Sequence, residues 1–282
     1  MTTSWPTDSL RACDTSLRDR GALALLHFGA VLPSLRSIAL GASGLVLLVV
    51  LWWIGTEFVA PAGSFLRNFS PQNTAGALAH LLTQPDLGIH VATSLRRVLV
   101  GLGLALLIGV PLGLAVGSSS LLNAATSPTF QLLRMISPLS WMPIAVMVFG
   151  VGDQPIYFLL TFAAVWPILL NTAQGVKQLD PAWLRLSESL AATRWETLLH
   201  VIVPGVLGHV LTGLRLAIGI VWIVLVPCEM LGVSAGLGYF ILDTRDRLAY
   251  PELMATVVLI GALGFLLDSG ARALYRLASR KA

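Results

Sequence analysis

Six apolar stretches, each long enough to cross a lipid bilayer, account for nearly half of this chain of 282 residues. A helix needs roughly 20 apolar residues to span the hydrocarbon core. In lipid each backbone N–H and C=O group must be paired within the segment, so these stretches are expected to be helices. They lie at residues 38–59, 95–116, 130–149, 156–176, 206–230 and 253–275. The sequence therefore predicts an all-α, polytopic membrane protein with about six transmembrane helices.

The composition agrees with this prediction and excludes several kinds of protein. Only 11% of the residues are charged, whereas a soluble domain is about a quarter charged. The net charge of +4 does not indicate nucleic-acid binding, because membrane proteins collect Lys and Arg in cytoplasmic loops. The sequence contains no GxxxxGK[ST] phosphate loop, no Cys/His metal spacing and no catalytic constellation. We expect no cofactor, metal or catalytic residue in this chain.

Basic residues predict the orientation. Arginines are frequent in the tail at residues 1–36, in the polar segment between the fourth and fifth stretches, and after the sixth stretch. Because Lys and Arg favour the cytoplasmic side, we expect both termini in the cytoplasm. The predicted organisation is a cytoplasmic tail at 1–36 followed by a transmembrane domain at 37–282. The loop 60–93 contains a short helical piece, and 232–251 is a glycine-rich polar loop.

A polar segment at residues 180–205 separates the fourth and fifth apolar stretches. Its charged side chains cannot lie in lipid without a large cost, so we expect an exposed helix at about 181–199. Asp180 is a suitable N-cap and Pro181 a suitable first residue. Trp183, Leu186 and Leu190 recur at helical spacing and form one apolar stripe. The stripe either docks into a groove of a partner protein or lies on the membrane surface.

The residues Ala191-Ala192-Thr193-Arg194-Trp195, followed by Val201-Ile202-Val203-Pro204, resemble the cytoplasmic coupling loop of ABC-importer permeases. Arg185-Leu186-Ser187 stands where that family usually has Glu-Ala-Ala, and Ala191 replaces its usual glycine. Further motifs resemble the nitrate, sulfonate, taurine and bicarbonate branch of these permeases. They are Ser137-Pro138-Leu139-Ser140-Trp141-Met142-Pro143, Trp166-Pro167-Ile168-Leu169-Leu170-Asn171-Thr172 and Cys228-Glu229-Met230.

The resemblance implies a type I importer fold in the bacterial inner membrane. It implies two copies of the chain around one pathway and two ABC ATPase subunits that bind ATP and Mg. It also implies a periplasmic or lipid-anchored solute-binding protein and contact with membrane lipid. The implied solute is a small anion such as nitrate, bicarbonate, taurine or another sulfonate. Two alternatives work without an ATPase: a secondary transporter, which often shows internal repeats and broken helices, and an integral-membrane enzyme.

Two sets of candidate residues follow. The set for contact with the ATPase is Trp183, Arg185, Leu186, Glu188, Leu190, Ala191, Arg194 and Trp195. The set for the translocation path is Ser137, Ser140, Trp141, Asn171 and Glu229. Glu229 either pairs with an arginine or lines the outer mouth, or it is an interfacial acid that accepts hydrogen bonds from backbone. Asn171 either lines the path or bonds to a neighbouring helix. The pair Arg96-Arg97 either attracts an anion or meets lipid head groups.

Overall fold

The computed structural model describes residues 35–59, 61 and 64–279, so most of the predicted tail at 1–36 lies outside the described residues. The described residues contain helices and no strand, as predicted. The chain divides into two compact units, Met1–Pro71 and Gln72–Ala282. In the first, α1 (Leu35–Ile54) continues into a π-helical turn (Gly55–Val59), and a 3-10 helix follows (Phe65–Phe69).

The remaining helices belong to the second unit, except that Pro71, the first residue of α2, lies just before the boundary. They are α2 (Pro71–Leu81), α3 (Pro85–Ser118), α4 (Ser120–Met135), α5 (Met142–Phe149), α6 (Asp153–Lys177), α7 (Pro181–Ser189), α8 (Arg194–Thr197), α9 (Val203–Glu229), α10 (Leu237–Asp246) and α11 (Tyr250–Ser279). Short helical turns lie at Pro138–Trp141 and Leu198–Ile202.

Five helical segments of the described residues are long and apolar enough to cross a membrane, and a sixth candidate is a bent helix pair. Five of the predicted stretches therefore correspond to single candidate spans. The second span is longer than predicted, because α3 begins at Pro85 and has 34 residues. At 1.5 Å per residue it is about 51 Å long and exceeds the roughly 30 Å of the hydrocarbon core.

The third predicted stretch, 130–149, is not one straight helix. It covers the end of α4 and the helical segment from Pro138 to Phe149, and α4 meets that segment at an angle of 85°. Pro138 explains the break, because proline restricts the residue before it to extended backbone and lacks an N–H group. Ser137 accordingly has φ −60° and ψ 129°. Polar backbone at such a break is tolerated where protein or a cavity surrounds it.

Helices α3 and α6 pack in parallel along glycines of α3. A Cβ added at Gly101 would lie 2.7 Å from Cβ of Leu160, and one at Gly117 would lie 2.7 Å from Cβ of Val176. Each of these pairs is 59 positions apart in the sequence, so the two helices run in the same direction. The contact extends for 16 residues, or about 24 Å. The segment between α3 and α6 must therefore return across the bundle, which supports α4 and α5 as one broken span.

Helix α9 runs antiparallel to α6. Gly175 near the end of α6 contacts His209 near the start of α9, and Gly213 contacts the backbone of Pro167. The buried core lies between α3, α6 and α9 and includes Leu160 and Leu225. The segment 181–202 therefore lies at one end of this bundle, and the end of α9 at Glu229 lies at the other.

The loop predicted at 232–251 contains a helix. Helix α10 occupies Leu237–Asp246, so Asp243 and Asp246 lie on a helix rather than in a loop. Phe240 of α10 packs with Leu81, Leu87 and Ala255 in a second, smaller apolar cluster. The high glycine content of this region predicts a loop. Gly236 and Gly238 instead lie at the start of the helix, where Gly236 is the N-cap.

Candidate functional site

The polar segment predicted as one helix at about 181–199 is two short helices joined by a turn. Helix α7 begins as predicted: Asp180 is its N-cap, and its carboxylate accepts a 2.8 Å hydrogen bond from the N–H of Ala182. Helix α8 begins at a capping box between Thr193 and Glu196. A π-helical turn then joins α8 to α9.

The turn between α7 and α8 has the hydrogen bonds of a Schellman motif. The N–H of Ala192 donates to the carbonyl of Ser187 (3.0 Å), and the N–H of Ala191 donates to that of Glu188 (3.0 Å). Ala191 has φ 53°, in the left-handed region that favours glycine. Its position is the one where the resembled family usually has glycine, so the turn is kept here at a cost in backbone strain.

The predicted apolar stripe is exposed in the isolated chain. Trp183 is 59%, Leu186 49% and Leu190 73% exposed, and Trp195 of α8 is 72% exposed. The first three side chains line a groove of about 730 Å³. Other lining residues are Leu179 before α7, His200 and Val201 of the π-helical turn, and Gly205 at the start of α9. This groove lies outside the core of the bundle. A continuous apolar surface of this kind marks an interaction site.

The charged candidates lie on the same two short helices as this groove, but they are not among the residues that line it. Arg185, Glu188 and Arg194 are all exposed. Arg185 makes a hydrogen bond of 3.4 Å to the carbonyl of Pro181, one turn earlier on α7. The segment therefore presents an apolar centre and a charged edge, the usual arrangement of a protein interface.

The candidate path residues lie at two levels of the bundle. Ser137, Ser140 and Trp141 follow one another at the break of the third span, and both serines are exposed. Asn171 lines a cavity of about 350 Å³ with Ile136 and Pro138, so it lies beside that break. Its amide donates a 2.7 Å hydrogen bond to the carbonyl of Pro167 on its own helix. Ser140 and Trp141 are not among the residues that line this cavity.

Glu229 lies elsewhere, at the opposite end of α9 from the polar segment. It is fully buried, and its Oε1 lies 2.7 Å from Nη1 of Arg97. Ser94 Oγ lies 2.8 Å from both carboxylate oxygens, and the N–H of Gly238 donates to Oε2 (3.0 Å). This placement supports a structural role for Glu229 as the ion-pair partner of Arg97. The Glu229 side chain does not reach the surface of the single chain.

Arg97 is the centre of this network, and the sequence reasoning did not assign it a partner. The side chain is 3% exposed, whereas that of the neighbouring Arg96 is 60% exposed. Both arginines bind Asp153, and Arg97 also donates to the carbonyl of Ala235 (2.7 Å). Arg97 is therefore not a ligand of lipid head groups. The sequence did contain a signal for these partners. Asp153 at the start of the fourth span and Glu229 at the end of the fifth are both predicted at the same membrane surface as Arg97.

The loop before α10 closes over this network. The N–H of Gly236 donates to Nδ1 of His90 (3.1 Å), and Gly236 has φ 124°. A Cβ at this position would lie 2.5 Å from Cδ of Glu229, so a side chain cannot be accommodated there. The network thus ties α3, α6, α9 and α10 together at the end of the bundle away from the polar segment.

Comparison with known proteins identifies the fold. The chain resembles a solved structure of the MetNI methionine ABC transporter in an inward-facing conformation, with a TM-score of 0.56 and 15% identity over 70% of this chain and 99% of the other. It also resembles a chain of a bacterial ABC transporter involved in alginate import, with a TM-score of 0.55 and 15% identity over 94% of this chain and 98% of the other. At these identities the likeness concerns the fold.

Sequence relatives identify the family. The chain is 32% identical to the taurine transport system permease protein of Escherichia coli, over 86% of this chain and 90% of the relative. It is 35% identical to the bicarbonate transport system permease protein of Synechococcus elongatus, over 83% of this chain and 87% of the relative. It is 34% identical to the nitrate import permease protein of Synechocystis, over 66% of this chain and 68% of the relative. Residues 105–282 match the family described as the binding-protein-dependent transport system inner membrane component. The chain therefore belongs to this family and is a multi-pass permease subunit of an ABC importer.

Proposed function

We propose that this permease works as a homodimer that imports a small anion and is driven by two separate ABC ATPase subunits, which bind ATP and Mg. The segment 181–197 is its contact with the ATPase. A periplasmic or lipid-anchored binding protein delivers the solute from the other side. Both termini lie in the cytoplasm, on the same side as this segment.

The exposed groove on 181–205 carries the proposal for ATPase contact. Full burial of a large apolar side chain contributes about 1.5–3 kcal/mol. Trp183, Leu186 and Leu190 are each about half to three-quarters exposed, so their burial by a partner would contribute roughly 1 to 2 kcal/mol apiece. Ion pairs at the exposed edge add at most about 1 kcal/mol each. The apolar centre therefore supplies most of the expected binding energy.

The proposed solute rests on the relatives. Their names specify taurine, bicarbonate and nitrate. These solutes differ in size but share a small oxyanion group, which is sulfonate, carbonate or nitrate. A solute carrying such a group is therefore the best expectation for this chain.

The homodimer rests on the number of ATPase contacts. A transporter with two ATPase subunits needs two coupling segments, and this chain has one segment of that kind and no internal repeat. Two identical copies related by a two-fold axis are the simplest assembly that supplies both.

Substitutions in the groove test the proposal. Leu190→Asp places a charge in the apolar centre and is expected to abolish ATPase association while the permease remains folded, because the side chain lies outside the core of the bundle. Arg185→Gln, at the charged edge of the same helix, is the matched control and should reduce association less than about fivefold. Association is measured by co-purification from membranes, together with solute-stimulated ATP hydrolysis. Normal association of Leu190→Asp would reject the coupling role of this segment.

A further inference from the structure

A cavity of about 350 Å³ lies where the third span is broken. Its wall includes Arg134 from the end of α4, Trp166 and Asn171 from α6, and Leu216 and Ile220 from α9. The cavity thus combines one cation and two polar side chains with apolar walls. Such a combination is typical of sites that bind a small ligand.

The cavity lies near the middle of the spans that surround it. Trp166 is close to the midpoint of the 25-residue helix α6, and Leu216 is at the midpoint of the 27-residue helix α9. Glu229 lies nine residues beyond Ile220 on α9, or about 13 Å farther along. The buried network around Arg97 is therefore separate from this cavity. Broken helices near the middle of the membrane are common at transport sites.

Arg134 has no carboxylate within 4 Å in the part of the chain that the structure describes, and it differs in this from two other arginines of the bundle. Arg97 is held by Asp153 and Glu229. Arg215 lies 3.4 Å from Asp268. A charge at this depth is costly and is normally paired with another charge or directed towards a water-filled path. Arg134 is exposed and is one of the residues that line the cavity, so it is accessible to an anion there.

Two further residues of the cavity wall, Trp166 and Asn171, carry hydrogen-bond donors. The indole Nε1 of Trp166 is buried and has no hydrogen-bond partner among the described residues. Such a group is costly unless something accepts its hydrogen. Asn171 uses one amide N–H for the carbonyl of Pro167, so its second N–H remains for a ligand.

We propose that Arg134, Trp166 and Asn171 form a binding site for the oxyanion group of the transported solute, midway along the translocation path. The proposal rests on the proposed function, because it assumes that the permease carries an anion. The guanidinium supplies the charge and a planar pair of donors suited to an oxyanion. Indole and amide N–H groups supply two neutral hydrogen bonds. The apolar walls exclude water and strengthen these contacts.

Uptake by the assembled transporter tests the site. Nitrate, bicarbonate and taurine are supplied one at a time, and initial rates are measured over a range of concentrations. For the anion that the native transporter imports, Arg134→Gln should lower the transport efficiency by about 100-fold or more, because a charged contact is lost. Arg134→Lys should recover part of it. Trp166→Phe keeps an aromatic ring and removes the N–H group, and we expect a reduction of about five- to tenfold, mainly in KM.

Arg245→Gln is the matched control, because Arg245 is an exposed arginine of α10 that is paired with Asp246. It removes the same charge and should leave uptake unchanged. ATPase association should be retained in every variant, and basal ATP hydrolysis should be normal in Arg245→Gln. Native-like uptake by Arg134→Gln, or equal losses in Arg134→Gln and the control, would overturn the site. If Arg134→Gln fails to assemble, native-like KM in Trp166→Phe overturns it instead. Failure of the native chain to associate with an ATPase would reject the proposed function itself.

Discussion

Replacement of Arg97 by methionine is expected to destabilise the protein far more than the same replacement of its neighbour Arg96. The two arginines share one partner, Asp153, but differ in burial. The Arg97 guanidinium lies 2.7 Å from Glu229 Oε1 and 2.6 Å from Asp153 Oδ1, and the Arg97 side chain is 3% exposed. The side chain of Arg96 is 60% exposed and contacts only Asp153 among the acids of the described residues.

The magnitude follows from what each substitution leaves behind. Without Arg97, the carboxylate of Glu229 remains fully buried and retains only Ser94 and the N–H of Gly238. Removal of one member of a buried ion pair costs about 3–5 kcal/mol. The exposed pair formed by Arg96 is worth at most about 1 kcal/mol. The expected difference between the two variants is therefore at least about 2 kcal/mol.

The free energy of unfolding is measured on purified protein by titration of mixed micelles with a denaturing detergent and by circular dichroism. Combining Arg97→Met with Glu229→Leu should recover much of the loss, because an apolar pair replaces an isolated charge. The stability of each single variant and of the double variant thus forms a cycle. Equal destabilisation by Arg97→Met and Arg96→Met would refute the buried network as a source of stability.

Three further predictions concern other parts of the chain. A cysteine in place of Ser189, in a cysteine-free background, should react in intact cells only with reagents that cross the membrane; reaction with an impermeant reagent would reverse the orientation. Ala191→Gly should relieve the left-handed strain and stabilise the turn by about 0.5–1 kcal/mol, seen as slower amide exchange across the turn. Gly113→Ala should destabilise by about 1–3 kcal/mol, because a Cβ there lies 2.6 Å from Cβ of Thr172. Gly103→Ala, with nothing within 4 Å, is its control, and equal unfolding energies would contradict the proposed packing.

The sequence was sufficient for the spans and for the start of the coupling segment. Bilayer length and backbone pairing act on each apolar stretch by itself, so five spans were located without knowledge of their neighbours. Local capping likewise predicted the start of α7 at Asp180 and Pro181. The exposed stripe of Trp183, Leu186 and Leu190 followed from helical periodicity alone.

Other features depended on the tertiary structure. The 85° break in the third span was missed, although Pro138 was visible, because the surrounding apolar residues resemble one continuous helix. The partners of Arg97 lie 56 and 132 residues away in the sequence. Arg215 pairs with Asp268, whereas Arg134 has no such partner in the described part of the chain. Both facts follow only from how α4, α6, α9 and α11 are placed.

The physical reason for this difference is the range, along the chain, of the interactions that determine each feature. Transfer into lipid and hydrogen bonding within a helix depend on neighbouring residues, so sequence alone determines which segments cross the membrane. An ion pair or a cavity depends on which side chains from different helices meet at one depth. Glycine contacts such as Gly101 with Leu160 set that register between α3 and α6. Tertiary packing therefore decided which arginines are neutralised within the bundle, and it left Arg134 without a carboxylate partner among the described residues.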